Sequence, residues 1–252
     1  MKKSVIGILL IALLAFSGTA YAQNTYFGKD NFGATIYLTT DYVSRGVSFS
    51  DKMPAIQGTV DYFNDLGIFA GIWASSWHSG EPSNDLELGY YLGYGDNIGN
   101  LAFSVSANYY DYPGADDDEA EWNYWEFVGT LSYTFADMFL SPTLGVGYTY
   151  SPEFSGDDGV LNYYNASLDL VLPWNLGLGL EGGYYDREGG FYTGGGRGLG
   201  GKSGVTYYHW RAGLSTTLVG FGLDLSYHNT NEREYFDGMG GDKYVFTLSR
   251  SF

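Results

Sequence analysis

The stretch from Gly194 to Gly204 contains Gly196-Arg197-Gly198-Leu199-Gly200-Gly201-Lys202-Ser203, a formal match to the phosphate-binding pattern G-x-x-x-x-G-K-[ST]. That chemistry needs a buried strand before the loop and a helix after it, because loop amides and a helix N-terminus hold the phosphates. The chain instead continues as Val205-Thr206-Tyr207-Tyr208-His209-Trp210, a β-branched and aromatic run that starts a strand. Gly177-Leu178-Gly179-Leu180-Glu181-Gly182 fits G-x-G-x-x-G, yet it falls inside one alternating segment, where glycines keep a wall small. Both matches follow from composition, and no nucleotide or other cofactor is expected.

The histidines offer a second chemistry. A tight turn at Leu218-Val219 makes His209 and His228 cross-strand neighbours on one face. Such a pair could bind a metal or charge near pH 6. No third ligand is apparent, so a hydrogen-bonded pair without metal is expected. The run Asp116-Asp117-Asp118-Glu119 lacks the spacing and the glycine of a calcium loop and reads as a solvated face. No Ser-His-acid constellation is apparent, so no enzyme is expected.

The elements that must position these groups are strands. Asp85 to Tyr94 puts Leu86, Leu88, Tyr90, Leu92 and Tyr94 on one face and Asp85, Glu87, Gly89, Tyr91 and Gly93 on the other. Leu101, Phe103, Val105, Ala107 and Tyr109 alternate with polar or small residues in the same way. About twelve such segments lie near 34–43, 54–63, 67–77, 85–95, 101–111, 123–135, 139–150, 161–172, 175–187, 205–217, 220–230 and 242–252. Each runs about 9–13 residues, enough to cross a bilayer as a tilted strand. Short connections (64–66, 96–100, 136–138, 173–174, 218–219) alternate with long polar ones (44–53, 78–84, 112–122, 151–160, 188–204, 231–241). This is the pattern of an all-β, transmembrane, antiparallel up-and-down barrel of twelve strands, whereas a soluble sandwich has no reason to sort its loops by length.

Lys2 and Lys3, the apolar run Val5–Phe16 and the site Ala20-Tyr21-Ala22 predict a signal peptide over residues 1–22, leaving residues 23–252 as the barrel. The formal charge of −17 excludes nucleic acid as a partner, and the absence of cysteine excludes a disulfide framework. Tyr42, Trp77, Tyr109, Trp125, Tyr150, Tyr164, Tyr184, Tyr208, Tyr227 and Tyr244 fall towards the long loops, and Tyr62, Tyr94, Phe135, Trp174, Phe221 and Phe252 towards the short turns. Two aromatic belts at the lipid headgroups are expected from this placement.

The closing segment Asp242-Lys243-Tyr244-Val245-Phe246-Thr247-Leu248-Ser249-Arg250-Ser251-Phe252 resembles the C-terminal strand signal read by the outer-membrane assembly machinery of Gram-negative bacteria. It departs at Arg250, which takes a lipid-facing parity and is expected to reach water at the interface. Asp41-Tyr42-Val43, Arg45-Gly46, Pro54 to Gly58, Asp61-Tyr62 and Gly71-x-Trp73 resemble the opening of the TorF-type porins. The strands holding Glu87 and Glu126 are also similar to that family. The resemblance implies an outer-membrane pore and is strongest over the first two hairpins.

If apolar positions face lipid, the other parity faces the lumen. That assigns Asp41, Gln57, Asp61, Glu87, Glu126, Asp169, Glu181, His209, Arg211, Asp224 and His228 inward, with Arg45 just past its strand. Carboxylates in excess concentrate cations. The expected function is a narrow, water-filled porin in the bacterial outer membrane, passing small polar solutes or ions and preferring cations. The alternative is a structural or adhesin-like barrel whose inner charges form satisfied networks in a nearly closed cylinder.

Overall fold

A computed structural model describes residues 31–77, 86–114, 122–154, 159–188, 192–193, 197–198, 204–232, 236 and 238–252. The expected signal peptide, His78 and the acidic run 116–119 lie outside the described residues, as does most of the glycine-rich loop.

The alternating segments form β1 (Phe32–Thr39), β2 (Val43–Ser44), β3 (Val47–Ser48), β4 (Ala55–Phe63), β5 (Ile68–Ser76), β6 (Leu86–Ile98), β7 (Leu101–Asp111) and β8 (Tyr124–Thr134). They continue as β9 (Thr143–Ser151), β10 (Leu161–Leu172), β11 (Leu176–Arg187), β12 (Tyr192–Thr193), β13 (Arg197–Gly198), β14 (Val205–Leu218), β15 (Phe221–Thr230) and β16 (Lys243–Ser251). Twelve of these close into one barrel in the order β1-β16-β15-β14-β11-β10-β9-β8-β7-β6-β5-β4. Neighbours pair antiparallel, and β1 meets β16 from Thr35↔Ser251 to Thr39↔Thr247. Closure removes every sheet edge, so no row of unpaired amides is left facing hydrocarbon.

The short strands are two hairpins, β2–β3 in the first long connection and β12–β13 in the glycine-rich one. Strand β14 begins at Val205, so a strand and no helix succeeds the glycine loop. The connection expected at 136–138 is longer, since β9 starts only at Thr143 after Pro142.

The turn expected at 173–174 also takes in Asn175, that expected at 96–100 shrinks to Gly99-Asn100, and the one expected at Leu218-Val219 is displaced, which shifts a register. Leu218 pairs with Phe221, so the turn residues are Val219 and Gly220, at φ 52° and 77°. Positive φ at both central positions is what a two-residue hairpin needs for its twist to match its strands, and Gly220 supplies it without strain. His209 therefore faces Thr230, and His228 faces Arg211. The expected His209–His228 opposition is corrected to a diagonal relation.

The parity holds around the wall. Leu92 and Val105 are 60% and 57% exposed, and Ile36, Ile56, Val60, Ile72, Val146 and Leu225 are exposed beside them. An apolar band encircling a closed barrel belongs in a bilayer, which for a bacterial barrel is the outer membrane. Leu92→Arg, at mid-strand, is expected to destabilise the barrel by about 2–4 kcal/mol, read from reversible urea unfolding in lipid vesicles. An unchanged midpoint would place Leu92 away from lipid.

Outward rings pack in tilted pairs across neighbouring strands: Tyr109 against Trp125 (5.0 Å), Tyr148 against Tyr164 (5.0 Å), Tyr184 against Tyr208 (4.9 Å) and Trp210 against Tyr227 (4.8 Å). Tyr42 and Trp77, expected in this belt, are instead buried inside, because both belong to the interior aromatic cluster. Arg250 turns to the short-turn rim, where Nη1 donates to the Gly220 carbonyl at 2.7 Å and the guanidinium lies over Phe221. A basic side chain on a lipid-facing position thereby satisfies its charge at the interface.

Candidate functional site

The first long connection does not project outward. Residues 41–50 fold into the barrel, while 51–54 stay exposed, and the tip of the β2–β3 hairpin reaches into the interior. Local chemistry makes the hairpin. Val43-Ser44 and Val47-Ser48 alternate around Arg45-Gly46, whose φ angles are 47° and 78°. Asp41 holds the base, accepting hydrogen bonds from Ser48 Oγ (2.6 Å) and Ser50 Oγ (3.0 Å). Burial pushes the Asp41 carboxyl above the ordinary carboxylate range, against those two hydrogen bonds.

The tip is anchored to strands on several sides of the barrel. Arg45 Nη2 lies 2.7 Å from Glu126 Oε1 on β8. Its guanidinium stands 4.9 Å from the Tyr163 ring on β10 and 5.9 Å from the Tyr185 ring on β11. Tyr207 on β14 donates its hydroxyl to the Arg45 carbonyl at 3.0 Å. Lys243 Nζ on β16 donates to the Gly46 carbonyl at 2.9 Å. Tyr42 packs on Trp73 of β5, ring centres 5.6 Å apart.

Gly46 is required at its place. A Cβ there would stand 2.6 Å from both His209 Cβ and Thr230 Cγ2, on a backbone that already favours glycine. Gly46→Val is expected to unseat the hairpin while leaving the barrel closed. A cysteine introduced at Ser44 would then react faster with a maleimide, and it would be the chain's only thiol, since the native chain has none. Unchanged labelling would mean that the tip has room to spare.

Around the tip lies a small recess, lined chiefly by Arg45, Glu87, Glu126, Tyr110, Tyr124 and Tyr185. Glu87 and Glu126 are each only 2% exposed. Tyr112 donates to Glu87 Oε1 at 3.0 Å, while Glu87 Oε2 is buried and accepts no hydrogen bond. One of the two buried carboxylates, Glu126, is thus paired with the Arg45 guanidinium, and Glu87 is held by Tyr112 instead.

A second cluster lies nearer the short-turn rim. Arg211 Nη2 donates to both oxygens of Asp224, at 2.8 and 2.7 Å. Asp169 and Glu181 also lie in the field of Arg211. The glycine at 213 leaves space for the guanidinium, which a Cβ would approach to 2.6 Å. Tyr163 joins the two clusters. Its ring lies beneath Arg45, its hydroxyl donates to Glu181 at 3.2 Å, and it shares a 2.8 Å hydrogen bond with His209 Nε2. One hydroxyl proton cannot serve both partners, so the His209 ring proton belongs on Nε2, which leaves the buried Nδ1 without one.

Of the remaining expected residues, Asp61 and Gln57 sit apart from these clusters, and His228 faces Arg211. Asp61 accepts from Thr59 Oγ1 at 2.8 Å and from the Tyr91 hydroxyl. Gln57 donates to Ser75 at 3.1 Å. His228 contacts Ser226 Oγ at 3.1 Å, but its ring lies in the field of Arg211, Lys243 and His209, where a hydrolytic triad needs a carboxylate. No group of three metal-ligating side chains occurs among the described residues.

Sequence reasoning misses two inner bases. Lys243 bonds to the hairpin tip, and Arg187 is buried with its guanidinium 4.8 Å from the Phe154 ring. It also misses the inner tyrosines, Tyr163, Tyr185 and Tyr207 among them. Their inward parity is readable, but a neutral phenol carries no charge to mark it as part of a site.

Two solved structures share the architecture at low identity. The chain is similar to the KdgM porin in complex with disordered oligogalacturonate, with a TM-score of 0.55 and 8% identity over 88% of this chain and 98% of that one. It is likewise similar to the KdgM porin alone, with a TM-score of 0.55 and 9% identity over 87% and 99% of the two chains. These likenesses show the fold. No curated protein matches the chain in sequence. One family spans nearly all of it: over residues 25–252 the chain belongs to Gcw_chp, described as a bacterial protein of unknown function.

Proposed function

We propose that this barrel is an outer-membrane channel for small hydrophilic solutes or ions, with a preference for cations. The observation that carries the preference is the charge balance of the half nearer the short turns. There Asp61, Asp169, Glu181 and Asp224 face the single base Arg211, while Arg45, Arg187 and Lys243 all lie towards the long loops. Acids in excess in a low-dielectric cylinder raise the local cation concentration and repel anions. The eleven residues named from parity, with Arg45, would line the route, with Tyr91 and Tyr163 added to them. The likeness of Tyr37–Trp77 to TorF-type porins supports the same reading. In barrels of this type the short turns face the periplasm, which makes the acidic half the inner vestibule and the hairpin an outward plug.

An anionic cargo such as the oligogalacturonate named for the KdgM complex suits this interior poorly, since it would meet the acidic half unneutralised. We read the barrel as non-enzymatic, with outer-membrane lipid and the assembly machinery, met through β16, as its partners. The seated hairpin favours one other reading, a structural or adhesin-like barrel without an open pore. Planar-bilayer recording under a KCl gradient tests both. A reversal potential on the cation side supports the channel, one on the anion side overturns the preference, and no conductance in any variant leaves the structural barrel.

A further inference from the structure

The Arg45 recess resembles a binding site already holding a tethered occupant. A guanidinium lies against two tyrosine faces and one carboxylate, with a second buried carboxylate at hand. Every group that grips it, Tyr163, Tyr185 and Glu126, comes from the barrel wall, while the guanidinium itself arrives on a two-residue hairpin ladder. Glu87 Oε2 faces this recess without a hydrogen-bond partner. With both glutamates ionised, the residues lining the recess carry one negative charge more than Arg45 cancels, Arg187 lying outside the lining against Phe154, and a buried carboxylate without a counter-ion of its own is costly.

We propose that this recess recognises organic cations with a guanidinium or ammonium head, and that the solute's head displaces Arg45 and so unseats the hairpin. This rests on the channel reading for its biological sense but not for its chemistry. The aromatic faces of Tyr163 and Tyr185 supply cation–π attraction, and Glu126 and Glu87 supply charge-assisted hydrogen bonds. A planar guanidinium reproduces the fork that Arg45 presents to Glu126. An anion has no place, because its charge would meet Glu87 and Glu126 once Arg45 left.

Displacement implies competition. A site open only part of the time binds more weakly by that fraction, so removing the tethered competitor tightens binding. Agmatine, which carries a guanidinium and an ammonium, is the probe, and gluconate is the anionic control. The full chain in detergent micelles is titrated by calorimetry, and the Ser44→Cys variant reports hairpin release through its maleimide reaction rate. Agmatine is expected to bind and to accelerate labelling, and gluconate to do neither. Arg45→Gln is expected to tighten agmatine binding about tenfold if the wild-type recess is free about a tenth of the time. Glu87→Gln and Glu126→Gln, made singly, are each expected to weaken it. Heat-modifiable gel mobility confirms that each variant is a folded barrel.

The proposal is overturned if agmatine binds no better than gluconate, if Arg45→Gln leaves its affinity unchanged or weaker, or if Glu87→Gln has no effect. The channel reading fails separately, through absent KCl conductance in wild type and Arg45→Gln alike. Binding without conductance keeps the site, and conductance without binding keeps only the channel.

Discussion

Arg45→Ala is expected to raise single-channel conductance several-fold without dissolving the barrel. Glu126 is buried at 2% exposure, and its 2.7 Å ion pair with Arg45 is the strongest charge contact of the hairpin tip. Removing one partner of such a pair strands the other, at about 3–5 kcal/mol. The barrel has two ways to relieve that cost. It can break wall hydrogen bonds, which are many and cooperative. It can also release the hairpin, whose tip is otherwise tied mainly by the Tyr207 and Lys243 bonds and by packing. The second is cheaper, so water reaches Glu126 and the lumen clears. Bilayer recording reads the conductance, and faster labelling at Ser44→Cys reads the release. Glu126→Ala in the same background removes the stranded charge and is expected to return part of the seating. If Arg45→Ala conducts like wild type and stays protected from labelling, the hairpin is no plug.

Neutralising Asp169, Glu181 and Asp224 together is expected to abolish the proposed cation selectivity. With Asn or Gln at these positions, the half nearer the short turns keeps Arg211 and Asp61, whose charges cancel. The reversal potential under a KCl gradient is then expected to fall from the cation side to near zero, at little change in conductance. Arg211→Ala is expected to move it the other way, deepening the proposed cation preference, because Asp224 loses the guanidinium nitrogen that holds both its oxygens and stays hydrated towards the vestibule. These opposite signs from one cluster distinguish a local electrostatic filter from a global change of pore shape. A triple variant that keeps its reversal potential would place the filter elsewhere, and the Glu87–Glu126 recess would be the next candidate.

The barrel is legible in the sequence because side-chain period in a strand is two and one wall faces lipid. Leu86 to Tyr94 alone fixes which residues face out, and the rest of the wall keeps the same parity. Pairing follows from the turns, and a turn misplaced by one residue displaces the pairing by two. A turn placed at Leu218-Val219 overlooks the glycine at 220, which calls for Val219-Gly220. That one step moves His228 from His209 to Arg211. The hairpin is half legible. Val43-Ser44-Arg45-Gly46-Val47-Ser48 carries its own turn signal, but its direction does not. Whether it turns in or out depends on Glu126, Tyr163, Tyr207 and Lys243, all far along the chain from Arg45, and no local pattern encodes such partners. Arg45 therefore reads as a marginal position when it is the centre of the site.

The anchors of the hairpin also impose an order of events during biogenesis. One comes from β5 near the start of the chain and another from Lys243 in the final strand. Its seat does not exist until the seam between β1 and β16 has zipped. The newly inserted cylinder must therefore pass through an unstoppered stage, and occlusion is the last step of maturation, able to lag behind membrane insertion and to be trapped by anything that keeps the tip outside.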